Sequence, residues 1–345
     1  MKKITITEIA KRLNISVATV SRALNPQTQM MVKPATRRRV IELARARKYS
    51  PNIAAKRLVT GKSRNIAIFL RPQVASLFFD DYYSKMMAGA MSAVDKTEYS
   101  VNLSVMKEQP GGFDIAGALR GMDAAGAILC TFHGVFDVQM KNLFNLEAPV
   151  IVLNQYKSGD NPHCFMVDNF KSAYDATSYL ISRGHARIAM VRGTTAIKDA
   201  QDRYMGFRKA LADNGIAHDS KLEYQSDFCD ESGRKAVRHF FGARQTGPTA
   251  IFFSNDAMAM TAINELRRMG IGCPEEVSVM GFDGIDAGRY TDPALTTVLQ
   301  PVYEMAQEAV REIMRNASDG SRFDSSRFFI AKIIERGSVA SLRKR

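Results

Sequence analysis

Residues 5–25 read TITEIAKRLNISVATVSRALN, and this stretch sets the architecture of the first part of the chain. Thr5-Ile6-Thr7-Glu8 is a capping box, in which the Thr5 hydroxyl accepts from the backbone N–H three residues on and the Glu8 carboxylate reaches back. Ile6, Ile9, Ala10 and Leu13 follow at helical spacing. Asn14-Ile15 makes a tight turn, and Ser16 is a natural N-cap for a second helix running to about Leu24. On that helix Val20, Ala23 and Leu24 turn towards a core and leave Val17, Ala18, Ser21 and Arg22 on the other face. A third helix starts near Pro34, with proline in its first turn. Val40, Leu43 and Ala44 give it an apolar stripe, surrounded by Arg37, Arg38, Arg39, Arg45 and Arg47. Two short helices joined by such a turn form a helix-turn-helix, whose second helix fits the major groove of DNA. Thr19 and Ser21 suit phosphate or base contacts, and Arg22 suits a guanine edge or a phosphate.

The charge distribution agrees with this reading. Residues 1–64 hold 16 Lys and Arg against 2 Asp and Glu, a net of +14, while the remaining 281 residues hold 32 against 33. A basic module joined to a neutral body is the electrostatic footprint of nucleic-acid binding. A solubilising basic arm would be poor in apolar residues and without periodicity, and this segment is neither.

Residues 50–61 read SPNIAAKRLVTG. Ser50 can cap, Pro51 sits at the first helical position and Gly61 is a stop signal. The helix between is so short that in isolation it is marginal in water. Leu58 is an apolar side chain among Lys56, Arg57 and Lys62, the pattern of side chains that wedge between base steps in the minor groove.

From Asn65 onward, strand-like runs alternate with amphipathic helices. NIAIFL (65–70), SVNLSVM (100–106), GAILC (126–130) and PVIVLN (149–154) make one series; RIAMVRG (187–193), TAIFFSN (249–255) and VSVMGFD (277–283) make a second. Helices are predicted over 170–183, 202–215 and 256–269. Alternating βα units imply parallel, doubly wound sheets, and two series imply two lobes. In such sheets ligands bind beyond the carboxyl ends of the strands, so the cleft between the lobes is the expected site. The openings NIAIFL and RIAMVRG are weakly similar, a hint of duplication.

The segments TITEIAKRLNISVATVSRALN and YSPNIAAKRL (49–58), with FMVDN (165–169), LISRGHARIAMVRG (180–193), DRYMGF (202–207), SNDAMAM (254–260), PEEVSVMGFD (274–283) and PALTTV (293–298), strongly resemble the lac-repressor/galactose-repressor family along almost the whole chain. The resemblance implies an all-α helix-turn-helix headpiece (1–49), a hinge helix and linker (50–64), and an α/β periplasmic-binding-protein-like core of two doubly wound lobes (65–345). Lobe 1 takes about 65–168 and 302–329, and lobe 2 about 169–299 and 330–340. It implies a sequence-specific transcription regulator, a repressor in its expected sense, acting as a homodimer on a palindromic double-stranded operator. A small effector, a sugar or related metabolite, sets its affinity from the cleft. Val17, Ala18 and Arg22 match base-reading positions, and Leu58 matches the leucine that two subunits insert at the operator centre. Thr5, Ser16, Thr19, Ser21, Asn25, Tyr49, Asn52, Ala55 and Lys56 complete the expected DNA contacts. For the effector, Arg203 matches an arginine that binds hydroxyl or carboxylate groups. Asn255 and Asp283 match polar strand-end residues, Asn154 a position usually held by Asp, and Tyr82 and Tyr83 an aromatic pair on the first-lobe wall. Three features depart from the family pattern: a longer 71–81 segment, Asn154 for the usual acid, and Thr261 where glycine is common.

Other classes fit less well. The chain has no GxSxG elbow, no GxGxxG after its first strand and no HExxH among His133, His163, His185, His218 and His239. Gly61-Lys62-Ser63 mimics the end of a P-loop, but position 56 is Lys and no strand precedes it. Asp80-Asp81 and Asp283 with Asp286 are candidate acid/base pairs, so a carbohydrate-active enzyme is one alternative and a plain sugar-binding protein another. His185 reads as structural. Cys130, Cys164, Cys229 and Cys273 form no CxxC and read as buried small hydrophobes. No metal and no cofactor is expected. No 18-residue apolar run exists and the N-terminus lacks a signal-peptide core, so no membrane is expected and the location is read as cytoplasmic.

Overall fold

A computed structural model describes residues 4–25, 28–49, 63–70, 81–106, 113–130, 149–154, 163–242, 247–321 and 326–342. The chain divides into two units, Met1–Ser63 and Arg64–Arg345.

The first unit contains α1 (Ile6–Leu13), α2 (Val17–Leu24) and α3 (Pro34–Ala46). The capping box is formed: Glu8 N donates to Thr5 Oγ1 at 3.2 Å and Thr5 N donates to Glu8 Oε2 at 2.8 Å. Asn14 ends α1 in the left-handed region at φ 52°, a conformation its short side chain tolerates, and this reverses the chain into the Ser16 cap. Ile9, Ala10, Val20, Ala23, Val40 and Ala44 fill the small core, joined by Val32 from the connection before α3.

The second unit holds two six-stranded sheets, and their strands alternate as the pleat requires. In β1 (Asn65–Leu70), Ile66, Ile68 and Leu70 face α4 (Asp81–Val94) and α10 (Val302–Asp319), while Ala67 and Phe69 face α5 (Ile115–Met122). Both faces being covered explains why this strand is a continuous apolar run. β2 (Ser100–Val105), β3 (Ala124–Cys130), β4 (Val150–Leu153) and β5 (Cys164–Val167) are parallel to it, and β11 (Arg327–Phe329) closes the order β11-β5-β4-β3-β1-β2.

The second sheet contains β6 (Ile188–Arg192), β7 (Glu223–Gln225), β8 (Ala250–Phe253), β9 (Ser278–Asp283) and β10 (Thr296–Leu299), in the order β12-β10-β9-β8-β6-β7. Here β12 (Lys332–Ile334) runs antiparallel on the edge. α6 (Asn169–Ser182) and α7 (Lys198–Asp213) cover one face; α8 (Glu231–Phe241) and α9 (Asp256–Arg268) cover the other. The chain therefore passes from the first lobe to the second after β5, returns through α10 and β11, and crosses again to β12.

The hint of duplication has a packing counterpart. A Cβ added at Gly89 would stand 2.1 Å from the Tyr303 carbonyl oxygen, and one at Gly206 would stand 2.1 Å from that of Phe170. In each lobe one helix touches its neighbour at backbone level, through a residue that only glycine can supply.

His185 is buried, with Nδ1 3.1 Å from Thr249 Oγ1 and Nε2 3.1 Å from the Ala340 carbonyl oxygen. The cysteine reading needs correcting at two positions: Cys130 and Cys164 are buried, but Cys273 is half-buried and Cys229 is exposed in the turn before α8, where local polar bonding rather than packing shapes the chain.

Candidate functional site

On the N-terminal unit, the side chains left over after the core and caps are satisfied define one face of α2. Val17, on this face, is 41 % exposed. Ala18, Ser21 and Arg22 are exposed beside it. Ser16 and Thr19 are committed to the cap: Thr19 N donates to Ser16 Oγ at 3.1 Å, and the two hydroxyls lie 2.8 Å apart. Thr5 is likewise committed to its capping box. Asn25 ends α2, its N–H turned back to Ser21 and Arg22. Tyr49 packs against the small core, and its burial raises the phenol pKa. Asn52, Ala55, Lys56 and Leu58 lie outside the described residues, as does the 71–80 part of the long segment.

In the body, polar side chains gather at the carboxyl ends of the parallel strands of both sheets. Arg203 is their centre. It is 5 % exposed, its guanidinium lies over the Phe282 ring at 3.7 Å, Nε donates to Asn169 Oδ1 at 2.8 Å and Nη1 donates to the Ser254 carbonyl oxygen at 2.5 Å. Asp283, ending β9, brings Oδ1 to 3.9 Å from Nη1. Burial works to lower the Arg203 pKa, and Asp283, then Asp199, counter it. Asp199 sits one turn before Arg203 on α7, and burial pushes its carboxyl up to about 6 against the pull of that arginine.

Asp283 in turn accepts from Gln300 Nε2 at 2.7 Å. Behind it, Asp256 is fully buried and accepts from Thr297 Oγ1 at 2.6 Å and Ile285 N at 2.9 Å. Burial, and then the charge on Asp283, hold the Asp256 pKa well above the usual carboxylate range.

The first lobe contributes from α4 and from the end of β4. Asn154, at φ 51°, donates from Nδ2 to the Tyr82 hydroxyl at 2.6 Å, and Tyr82 meets Tyr83 edge to face. Burial raises the Tyr82 pKa strongly, and Cys130, then Tyr83, then Asp199 and Asp283 add to the rise. A bridge crosses to the second lobe at the start of α4. Lys85 Nζ donates to the Gly284 carbonyl oxygen at 2.6 Å, and Asp81 Oδ2 accepts from Asp286 N at 2.9 Å.

Of the expected effector residues, Arg203 and Asp283 come together in the second lobe, and Asn154, Tyr82 and Tyr83 in the first. Asn255 is spent on structure: Oδ1 caps α9 through Met258 N at 2.9 Å and Nδ2 donates to the Phe228 carbonyl oxygen at 3.0 Å. Thr261 bonds the Asp230 carbonyl oxygen at 2.5 Å, a helix-to-helix tie. Asp199, Asn169, Gln300 and the Asp81–Lys85 bridge were not read from the sequence. Only Asp199, four residues before Arg203 on the same helix face, left a usable signal there. Among the described residues no group of His, Cys, Asp or Glu is arranged to hold a metal ion, and no helix is long and apolar enough to cross a membrane.

A helix-turn-helix unit joined to a two-lobed parallel α/β body defines a class, the DNA-binding regulators with a periplasmic-binding-protein-like core. Residues 5–52 match the family described as bacterial regulatory proteins, lacI family, and residues 177–339 match the periplasmic binding protein-like domain. The HTH-type transcriptional repressor CytR of Escherichia coli K12 is 30 % identical over 342 residues, 98 % of this chain and 97 % of that protein. The lac repressor dimer bound to operator and an anti-inducer superposes with a TM-score of 0.80 at 21 % identity, over 98 % of this chain and 100 % of that one. A LacI family regulator from Enterococcus faecium with bound ribose gives 0.68 at 25 % identity, over 81 % of this chain and 100 % of that one. The chain belongs to the lacI family and is a DNA-binding transcription regulator.

Proposed function

We propose that this regulator is a cytoplasmic repressor that binds a palindromic operator as a homodimer and is controlled by a small polyhydroxylated ligand, a sugar or related metabolite, held between the lobes of its body. The observation that carries the reading is the pairing of Arg203 with Asp283 at the end of β9, next in the chain to the loop that Lys85 and Asp81 of the first lobe hold. The LacI family regulator from Enterococcus faecium with bound ribose supports a sugar as the ligand type. Residues 1–49 read DNA, 50–64 link, and 65–345 sense. On α2, Val17 and Ala18 meet apolar base edges and Arg22 pairs with a guanine or a phosphate, while Ser16, Thr19 and Thr5 hold the helices in place. In the body, Tyr83 and Asn154 shape the first-lobe wall, and Asn255 stabilises the strand end beside the ligand. The protein's role is read as binding rather than catalysis, and the cleft carboxylates are engaged with Arg203, Gln300 and backbone amides. Ligand binding changes operator affinity to the extent that the ligand prefers one lobe arrangement over another.

The test starts from selection of the operator out of random DNA, followed by titration of the complex with candidate sugars. Arg22→Ala is expected to weaken binding about 5- to 150-fold and to relax selectivity at one base pair, the range for a lost arginine–base contact. Parent-like affinity and selectivity in that variant, or operator binding that no cleft ligand alters, would sink the reading.

A further inference from the structure

We infer that the second lobe carries a ligand site separate from the cleft, a hollow on the far side of α7 that takes a small organic anion through Arg192. The hollow has a volume of about 220 Å³ and lies between the loop that leaves β6 and the first two turns of α7. Drug-sized ligands occupy about 300–1,000 Å³, so this one suits a metabolite of single-ring size. Its place follows from two periodicities. Along β6, Ile188, Met190 and Arg192 point to the face covered by α6 and α7; the first two enter the core there, and Arg192 stands at its rim. On α7, Asp199 and Arg203 share one face, while Gln201, Tyr204 and Met205 lie on the other at about 100° per residue. One helix therefore borders both the cleft and the hollow.

The walls are tied in place. Gln225 Nε2 donates to the Gly193 carbonyl oxygen at 2.5 Å, Ala196 N donates to Thr194 Oγ1 at 3.4 Å, and Gln201 Nε2 donates to the Thr195 carbonyl oxygen at 2.6 Å. A Cβ at Gly193 would stand 2.0 Å from Phe228 Cζ, so the loop is packed onto that ring. The hollow is thus held open by the protein's own bonding, as pre-formed ligand sites are.

Donors are left over on these walls. Among the described residues, the Arg192 guanidinium forms one hydrogen bond, from Nη1 to Glu223 Oε2 at 3.1 Å. Its Nε is buried without a partner, and its Nη2 hydrogens remain for a ligand. The Thr194 hydroxyl accepts from Ala196 N and keeps its own proton to donate. An under-bonded guanidinium held flat gains most from an oxyanion, whose bonds to it are short and charge-assisted.

The local charge points the same way. Tyr204 is flanked by two guanidinium groups: that of Arg192 lies 3.7 Å over its ring, and Arg208 Nη1 lies 3.5 Å from its hydroxyl. Glu223 is the one carboxylate set against them, and it also accepts from the Tyr204 hydroxyl at 2.7 Å and meets His218. Lys198 and Asp202 pair with each other. Two arginines against one glutamate leave a positive surplus beside the hollow. The Tyr204 ring and Met205, 57 % exposed, offer an apolar wall to the body of the ligand.

The experiment is calorimetric titration of the full chain with oxyanions and their uncharged counterparts: benzoate against benzamide, ribose 5-phosphate against ribose, and inorganic phosphate alone. The expected result is saturable binding of at least one anion, with its uncharged counterpart about tenfold or more weaker, the scale of one charge-assisted hydrogen bond. Arg192→Met should weaken that anion by a similar factor. Because this variant also takes a partner from Glu223, Thr195→Trp is the second variant: Thr195 is exposed, and a tryptophan there fills the hollow and leaves the Glu223 cluster intact. It too should weaken the anion about tenfold or more. A panel in which no anion binds, an uncharged counterpart that binds as tightly, or parent-like binding in Thr195→Trp, which would place the anion elsewhere, the cleft included, overturns the inference.

Discussion

Lys85 Nζ donates to the carbonyl oxygen of Gly284 at 2.6 Å, tying the second turn of a first-lobe helix to the loop that follows β9 in the second lobe. Asp81, one turn earlier, pairs with that ammonium at 2.8 Å and accepts from Asp286 N at 2.9 Å. The bridge ends one residue beyond Asp283, so the element that joins the lobes is continuous with the element that faces Arg203. Any ligand that moves Asp283 acts on the contact between lobes without a long pathway.

Asp81→Ala should therefore open this contact locally. The Asp286 amide loses its acceptor, and Lys85 loses the carboxylate that holds it in place. A charge-assisted hydrogen bond contributes about 1.5–3 kcal/mol, so amide exchange at Asp286 should accelerate about tenfold or more while the strands of both sheets keep their protection. Unchanged exchange at Asp286 would show that the bridge does not hold the lobes in solution.

Arg203→Met should do more than remove the proposed ligand contact. It leaves Asn169 Oδ1 and the Ser254 carbonyl oxygen without their donor and Asp283 without its counter-charge, in a site that is almost wholly buried. Removing one member of such a buried group costs about 3–5 kcal/mol, which for a body of this size lowers the melting temperature by on the order of 10 °C. Arg203→Lys keeps the charge and loses the planar fork, so it should melt between the two. Parent-like melting of Arg203→Met would mean that this arginine serves ligand alone.

The headpiece was legible almost to the residue because its determinants are local: a capping box, an asparagine turn, an apolar stripe, a proline at the third helix start. The long buried strands were legible because both of their faces are covered. The short strands were not. β7 reads Glu-Tyr-Gln on a sheet edge, and β10 to β12 are set by partners far away in sequence, so neither run length nor alternation marks them. The site divides the same way. Arg203, Asp283, Asn154 and Tyr82 came through family resemblance, and Asp199 shares a helix face with Arg203. Gln300 and Asn169 carry no pattern at all; only tertiary folding brings them to the cleft. The Asp81–Lys85 pair looks like an ordinary surface i,i+4 pair until the second lobe is seen beside it.

Asp199 gives the body a stability limb in mild acid. Its unfolded pKa is about 3.9, and burial raises the folded value to about 6. Below the lower value the carboxyl is protonated in both states, and between the two only the native chain keeps the proton. The stabilising effect of that proton is therefore complete at low pH and lost as the pH rises through about 6. Asp199→Asn never ionises, so its melting temperature should gain on the parent's by a few degrees between pH 4.5 and pH 7. A difference that stays constant over that range would remove Asp199 from the account.

Ser16 and Val17 are neighbours with opposite assignments, and this separates fold from reading on the headpiece. Ser16 Oγ accepts from Thr19 N at 3.1 Å, while the Val17 side chain is 41 % exposed. Loss of an N-cap costs about 1 kcal/mol, so Ser16→Ala should lower headpiece melting and weaken every DNA sequence to a similar degree. Exposed positions change stability by about 0.5 kcal/mol or less, so Val17→Ala should melt like the parent and alter the order of preference among operator variants. Melting curves of the full chain, with binding to a panel of single-base operator variants, read both effects. Equal loss across the panel for Val17→Ala would assign this valine to packing, and would place base recognition on Ala18 and Arg22 alone.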